Sequence, residues 1–206
     1  MTKIFITSAL FISSLVPAQG QFEQRMGRAF QLWGEGKNTE ASDMFERIAS
    51  AEPSSWLPNY YVALVNTSLA FTTQDKDQIN LLLTKSQNAL DVEMAKDQNN
   101  AELYVMQALI NTAWIVFDPM TNGMKLSPVN MELYAKAEAI APENPRVVFS
   151  KADFLLGGAK WTGIDTKPLC IQIEKAIGLF ATFKPETPFS PSWGLDRALE
   201  SQKSCK

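Results

Sequence analysis

Residues 29–63 read AFQLWGEGKNTEASDMFERIASAEPSSWLPNYYVA, and this stretch decides the fold. Ala29 and Leu32 open it, Ala41 and Phe45 follow, Pro53 comes eight residues after Phe45, and Ala63 returns 34 positions after Ala29. A small residue lets one helix approach its neighbour closely, an aromatic fills the groove between them, and a proline ends the second helix. The spacing therefore predicts a 34-residue helix–turn–helix unit that cannot bury its apolar face alone and must stack on copies of itself.

Working outward, Phe22, Met26, Ala29, Phe30 and Trp33 recur at three- and four-residue steps, one apolar stripe of a first helix that Gly34 and Gly36 end. A second helix runs from Asn38 or Thr39 to Ala51, and Pro58 opens the next at Asn59–Thr72. Amphipathic helices follow at Ile79–Asp97 and Ala101–Phe117, then at Pro128–Ala141 and Arg146–Leu156. A last long one runs from Lys167 or Pro168 to about Phe183, and a loop with Pro185, Pro188 and Pro191 leads to a short terminal helix. The small-residue positions Ala29, Ala63, Ala108 and Ala152 are separated by 34, 45 and 44 residues. Two segments are read as irregular: Asp118–Pro128, with two prolines and Gly123, and Gly157–Gly163, which begins Gly157-Gly158. The expected fold class is all-α: a right-handed helical solenoid of the tetratricopeptide type, about four helix-turn-helix units plus a short C-terminal helix. Eight main helices and a ninth short one are expected.

Composition narrows the function classes. The 206 residues carry 19 Lys and Arg against 22 Asp and Glu, net −3, with no run of like charge that reaches five, so no nucleic-acid partner is expected. Histidine is absent, which removes the usual general base near neutral pH and the commonest metal ligand. No Gly-x-Ser-x-Gly elbow, carboxylate pair or phosphate loop occurs, and the expectation is a non-enzyme with no cofactor and no metal. Lys3, the apolar run Ile4–Val16 and the small residues around Val16-Pro17-Ala18 read as an export signal over residues 1–18, leaving a single domain over residues 19–206. Ala18-Gln19-Gly20 offers a second cleavage point. Cleavage after Ala18 leaves 18 − 22 = −4. No cysteine stands at the junction, so the product is expected in the periplasm or outside the cell, not lipid-anchored and not inserted in a membrane.

Beyond the repeat, the mature chain resembles a family of small exported bacterial tetratricopeptide repeat proteins. The resemblance is carried by Phe45-Glu46-Arg47-Ile48-Ala49, Trp56-Leu57-Pro58 with Tyr60-Tyr61, Asp118-Pro119-Met120 with Gly123-Met124, Asn144-Pro145-Arg146, Gly157-Gly158, Phe183-Lys184-Pro185 and Trp193-Gly194. It departs at Gly157-Gly158-Ala159, where the family tends to run three glycines. It implies an exported all-helical repeat protein and brings no agreed activity.

The first helix of each unit is expected to line the inner face. Trp33, Tyr60 and Phe149 are candidate groove residues, and Asn66 and Asn111, in matching places on successive helices, are candidates to bond a bound backbone. Packing between helices is the competing role for all five. The loop candidates Asp118, Gly123, Gly157 and Gly158 would neighbour one another at one edge, either as turns or as an anion cradle. Tyr60 and Leu64 stand where chaperone-binding repeats hold a Lys/Asn carboxylate clamp, which excludes that partner class. Cys170 and Cys205 are the only cysteines, and export favours a bond between them. The expectation is a monomeric protein-interaction module for an envelope protein or peptide. The alternative is a periplasmic carrier that encloses a small apolar ligand. An open aromatic groove favours the first and an enclosed apolar interior the second.

Overall fold

The computed structural model describes residues 15–205, with side chains from residue 20 onward; the export-signal segment falls almost wholly outside them. Among the described residues there are nine helices and no strand: α1 (Leu15–Gly34), α2 (Asn38–Ala51), α3 (Leu57–Ala70), α4 (Lys76–Met94), α5 (Ala101–Phe117), α6 (Pro119–Ile140), α7 (Pro145–Thr162), α8 (Lys167–Thr182) and α9 (Leu195–Lys203). Each helix packs on the next in sequence. The odd-numbered helices also touch along the stack, α3 on α5 and α5 on α7, which makes them the inner layer of an all-α, solenoid-like fold.

The helix ends follow from local chemistry. Asp75, Asn100, Asp118 and Asn144 each accept backbone N–H bonds as N-caps of α4, α5, α6 and α7. Pro58, Pro119, Pro145 and Pro168 stand in first turns, where the missing N–H costs nothing. Gly36, at φ 76°, makes the left-handed turn between α1 and α2.

Both segments expected to be irregular are helical. Asp118 caps α6 by accepting from the Thr121 N–H at 3.1 Å, Pro119 follows as a first-turn proline, and Asn122 Nδ2 donates to the Trp114 carbonyl at 2.8 Å. Pro128 sits inside α6 on its exposed side, so the carbonyl it cannot serve, at Met124, is open to water. Gly157 and Gly158 lie inside α7, which ends instead at Gly163, φ 69°, whose N–H reaches the Ala159 carbonyl at 2.8 Å. The residues that lengthen the third unit therefore go mainly into α6, and those that lengthen the second are shared between α4 and its flanking turns.

The core runs along the stack in four clusters, and its register is set where the repeat places alanine. Ala29, Ala63 and Ala108 are fully buried and Ala152 nearly so. At Ala63 the approach is close enough for Ser86 Oγ on α4 to donate to its carbonyl at 3.1 Å. At Ala108 the donor is Asn130 Nδ2 on α6, also at 3.1 Å. A side chain larger than methyl would part the helices and break those two cross-helix bonds. Cys170, at the start of α8, is joined to Cys205, past the end of α9, with Cα atoms 5.7 Å apart.

Two stability outcomes follow. Ala108→Leu should lower unfolding free energy by about 1–3 kcal/mol through overpacking. An unchanged denaturant midpoint would place Ala108 outside the contact. Reducing the disulfide opens a loop of 35 residues and should cost roughly 3–4 kcal/mol on the chain-entropy estimate, read as a lower melting temperature in reductant.

Candidate functional site

The inner helices carry Phe30 on α1, Tyr60 on α3, Glu102 on α5 and Arg146 on α7, the last two at equivalent places in the repeat, six residues before Ala108 and Ala152. Phe30, Tyr60 and Arg146 meet one covering segment, the strap of residues 183–194 between α8 and α9, and Glu102 pairs with Arg146. The strap leaves α8 at Phe183, whose ring lies 4.5 Å from the Arg146 guanidinium carbon. Lys184 to Pro188 are exposed. At the tip, the Thr187 N–H donates to Ser190 Oγ at 3.0 Å and the Ser190 N–H to the Thr187 carbonyl at 3.1 Å, a turn closed by its own groups. Phe189 then reaches into the inner face. Its ring stacks on Phe30 at 5.8 Å and 9° and meets Phe22 edge-on at 6.1 Å. Tyr61 Oη donates to its carbonyl at 2.8 Å. Trp193 Nε1 donates to Tyr60 Oη at 2.7 Å. Gly194, at φ 114°, turns the chain into α9, and an added Cβ there would sit 2.7 Å from the Phe180 ring.

Beneath the strap lies an aromatic box. Phe30 packs edge-on against Tyr61 at 4.6 Å and Phe45 at 5.4 Å, and Trp33 against Tyr61 at 6.1 Å. Burial pushes the hydroxyls of Tyr60 and Tyr61 well above their ordinary value, so both stay neutral, the first as acceptor from Trp193 and the second as donor to Phe189. Beside the box, Glu102 and Arg146 form a buried pair. Arg146 Nη2 stands 2.7 Å from Glu102 Oε1, Arg146 Nε donates to both carboxylate oxygens at 2.8 and 2.9 Å, and Asn144 Nδ2 adds a bond at 2.6 Å. Arg146 Nη1 is buried with no hydrogen-bond partner. An open depression of about 570 Å³, lined by Asn144, Lys175 and Phe183 among others, adjoins the first foot of the strap. A smaller recess of about 300 Å³ between α1 and α2 has Met44 and Ile48 for its floor and Arg25 and Arg47 at its rim.

The groove candidates divide. Trp33 and Tyr60 belong to the aromatic box and its cover. Asn66 does not: it donates to Ser42 Oγ at 2.7 Å and to the Val62 carbonyl at 2.7 Å, tying α3 to α2. Asn111 likewise donates to Asn130 Oδ1 at 2.9 Å, tying α5 to α6. Phe149 is buried against Phe180 between α7 and α8. Gly123, Gly157 and Gly158 are helical, and Asp118 is a cap, so no glycine cradle for an anion forms there. The residues that sequence reasoning missed are Glu102, Arg146 and Phe189. The first pair had a signal, since 102 and 146 lie the same 44 residues apart as Ala108 and Ala152. Phe189 had none, because nothing local says where a loop tip lands.

No helix among the described residues is long and apolar enough to cross a membrane. No family model matches the chain, and no curated protein matches it. Among solved structures, the chain is similar to the HusA haemophore from Porphyromonas gingivalis, with a TM-score of 0.77 and 21% sequence identity over 90% of this chain and 92% of that one. At that identity the likeness is one of fold.

The buried tyrosines set an alkaline limit. Tyr60, Tyr61 and Tyr134 all have hydroxyls raised above the ordinary 10.0, burial being the main cause. The folded state thus holds protons that the unfolded chain loses near pH 10, so their stabilising share is complete below that value and falls as pH rises beyond it. Phenolate absorbance from these three should appear together with loss of helical signal. Its smooth growth near pH 10 with the helices intact would contradict their burial.

Proposed function

We propose that the chain is an exported carrier of tetratricopeptide type that takes a planar, mostly apolar ligand of the porphyrin class onto its inner aromatic face. The observation that carries the reading is the covered inner face. Where a repeat scaffold for peptides presents an open channel, this one is closed by its own C-terminal strap over Phe22, Phe30 and Tyr61. An enclosed aromatic interior suits a small ligand held by its faces. The haemophore with a similar fold supports the same class of cargo, and the apolar N-terminal run supports export.

The side chains fit face recognition better than iron ligation. The chain has no histidine, its two cysteines are joined to each other, and Tyr60, Tyr61, Tyr104 and Tyr134 are all buried. Thioethers remain, and Met120 and Met124, one turn apart on α6, are 86% and 88% exposed. Stacking on Phe30 and Trp33 needs no metal at all. The reading is of a binding protein rather than an enzyme, since the residue inventory offers no base matched to neutral pH.

The test is a titration of the mature chain with iron protoporphyrin and with metal-free protoporphyrin, followed by tryptophan quenching and native mass spectrometry. Saturable binding of both, with comparable affinity, is expected. Neither quenching nor a retained mass at up to about 100 µM ligand would end the carrier reading, and a retained peptide mass would restore the interaction module.

A further inference from the structure

The strap is fastened unevenly. Its second foot is firm: Trp193 is bonded to Tyr60 and packs on two core clusters, Pro191 is buried, and α9 beyond it is held to α8 by the Cys170–Cys205 bond. Its first foot rests on Arg146 through the Phe183 ring. The tip between them is different. Lys184 to Pro188 are exposed, the Thr187–Ser190 turn satisfies its own hydrogen bonds, and the contacts of the tip with the body are the Phe189 ring and the Tyr61 bond to the Phe189 carbonyl.

None of the bonds that close the turn reaches the body, so none has to break for the tip to leave its seat. Leaving exposes the stacking face of Phe30, the edge of Phe22 and a neutral Tyr61 hydroxyl, the set of groups that binds one flat ring with an acceptor beside it. Phe189 already satisfies that set, so the chain carries its own ligand mimic. Resting on the carrier reading, we propose that Phe189 is an internal competitor: the planar ligand takes the slot that Phe189 fills, and the 184–190 tip swings aside while Phe183 and Trp193 stay in place. The seated fraction then lowers apparent affinity in proportion, since only the open state accepts ligand. The disulfide holds α9 to α8, which keeps the far end of the strap in place while the tip is displaced.

The sign of one substitution separates a competitor from a contact. Wild type, Phe189→Ala and Phe30→Ala are titrated with iron protoporphyrin and, separately, with the apolar dye anilinonaphthalene sulfonate, each variant first checked for helical content and a cooperative melt. Phe189→Ala should bind the porphyrin tighter, on the order of threefold to thirtyfold, and should gain dye fluorescence. Phe30→Ala should bind the porphyrin more weakly. Weaker or unchanged porphyrin binding by Phe189→Ala would overturn the proposal. If no form binds porphyrin, the carrier reading fails and the dye decides the strap: gain on Phe189→Ala upholds an occluded slot, and no gain rejects it. Should Phe189→Ala not fold, Phe189→Leu, which keeps apolar bulk but loses the stacked ring, must shift both readouts in the same directions.

Discussion

The pair between Glu102 and Arg146 is the constraint on which the inner face depends. It joins α5 to α7 at equivalent places in the repeat and is almost wholly withdrawn from water. A buried ion pair adds little net stability, but removing one partner leaves an uncompensated charge and costs about 3–5 kcal/mol. Its work here is placement. Asn144, the cap of α7, donates to the same carboxylate, so the start of α7 is registered against α5. The guanidinium then offers its flat face to Phe183, and Gly194 comes back against the Arg146 side chain. Both feet of the strap thus rest near one arginine, which fixes where the tip between them lands.

A solenoid in which only the inner helices touch along the stack would normally leave that layer open. Here α3 and α5 are buried nearly all round, which their even distribution of apolar residues anticipates. What covers them is supplied from the far end of the chain. Trp193 packs against both of the first two core clusters and Phe189 against the first. The C-terminal segment therefore completes the core of the first repeats, and the disulfide, by closing the loop that holds the strap, acts on the same face. One segment of twelve residues thus covers the inner layer of the stack.

The misread segments show where local rules stop. Two prolines and a glycine in Asp118–Pro128 look like a broken helix, yet each is placed where a helix tolerates it: one in the first turn, one on the wet side, and the glycine between them. Gly157 and Gly158 each lower helix propensity by roughly 1 kcal/mol relative to alanine. Packing of α7 on α8 and a proper stop at Gly163 outweigh that. Asn66 and Asn111 are legible as a matched pair on successive helices, but a polar side chain on an inner helix bonds a ligand or a neighbouring helix with the same chemistry. Only the presence of Ser42 and Asn130 opposite them decides between the two.

The amino-acid sequence by itself determined the all-α class, the repeat register and the alanines on which it turns. These are consequences of short-range periodicity, caps and volume, which act over a few residues. It also determined the absence of histidine chemistry, because composition needs no geometry. Tertiary structure alone decided that the inner face is covered, that Glu102 meets Arg146, and that Phe189 lies on Phe30, 159 residues away in the chain. Such contacts carry no local signature: a loop tip finds its seat through the summed orientation of every helix before it, and no periodicity encodes that sum.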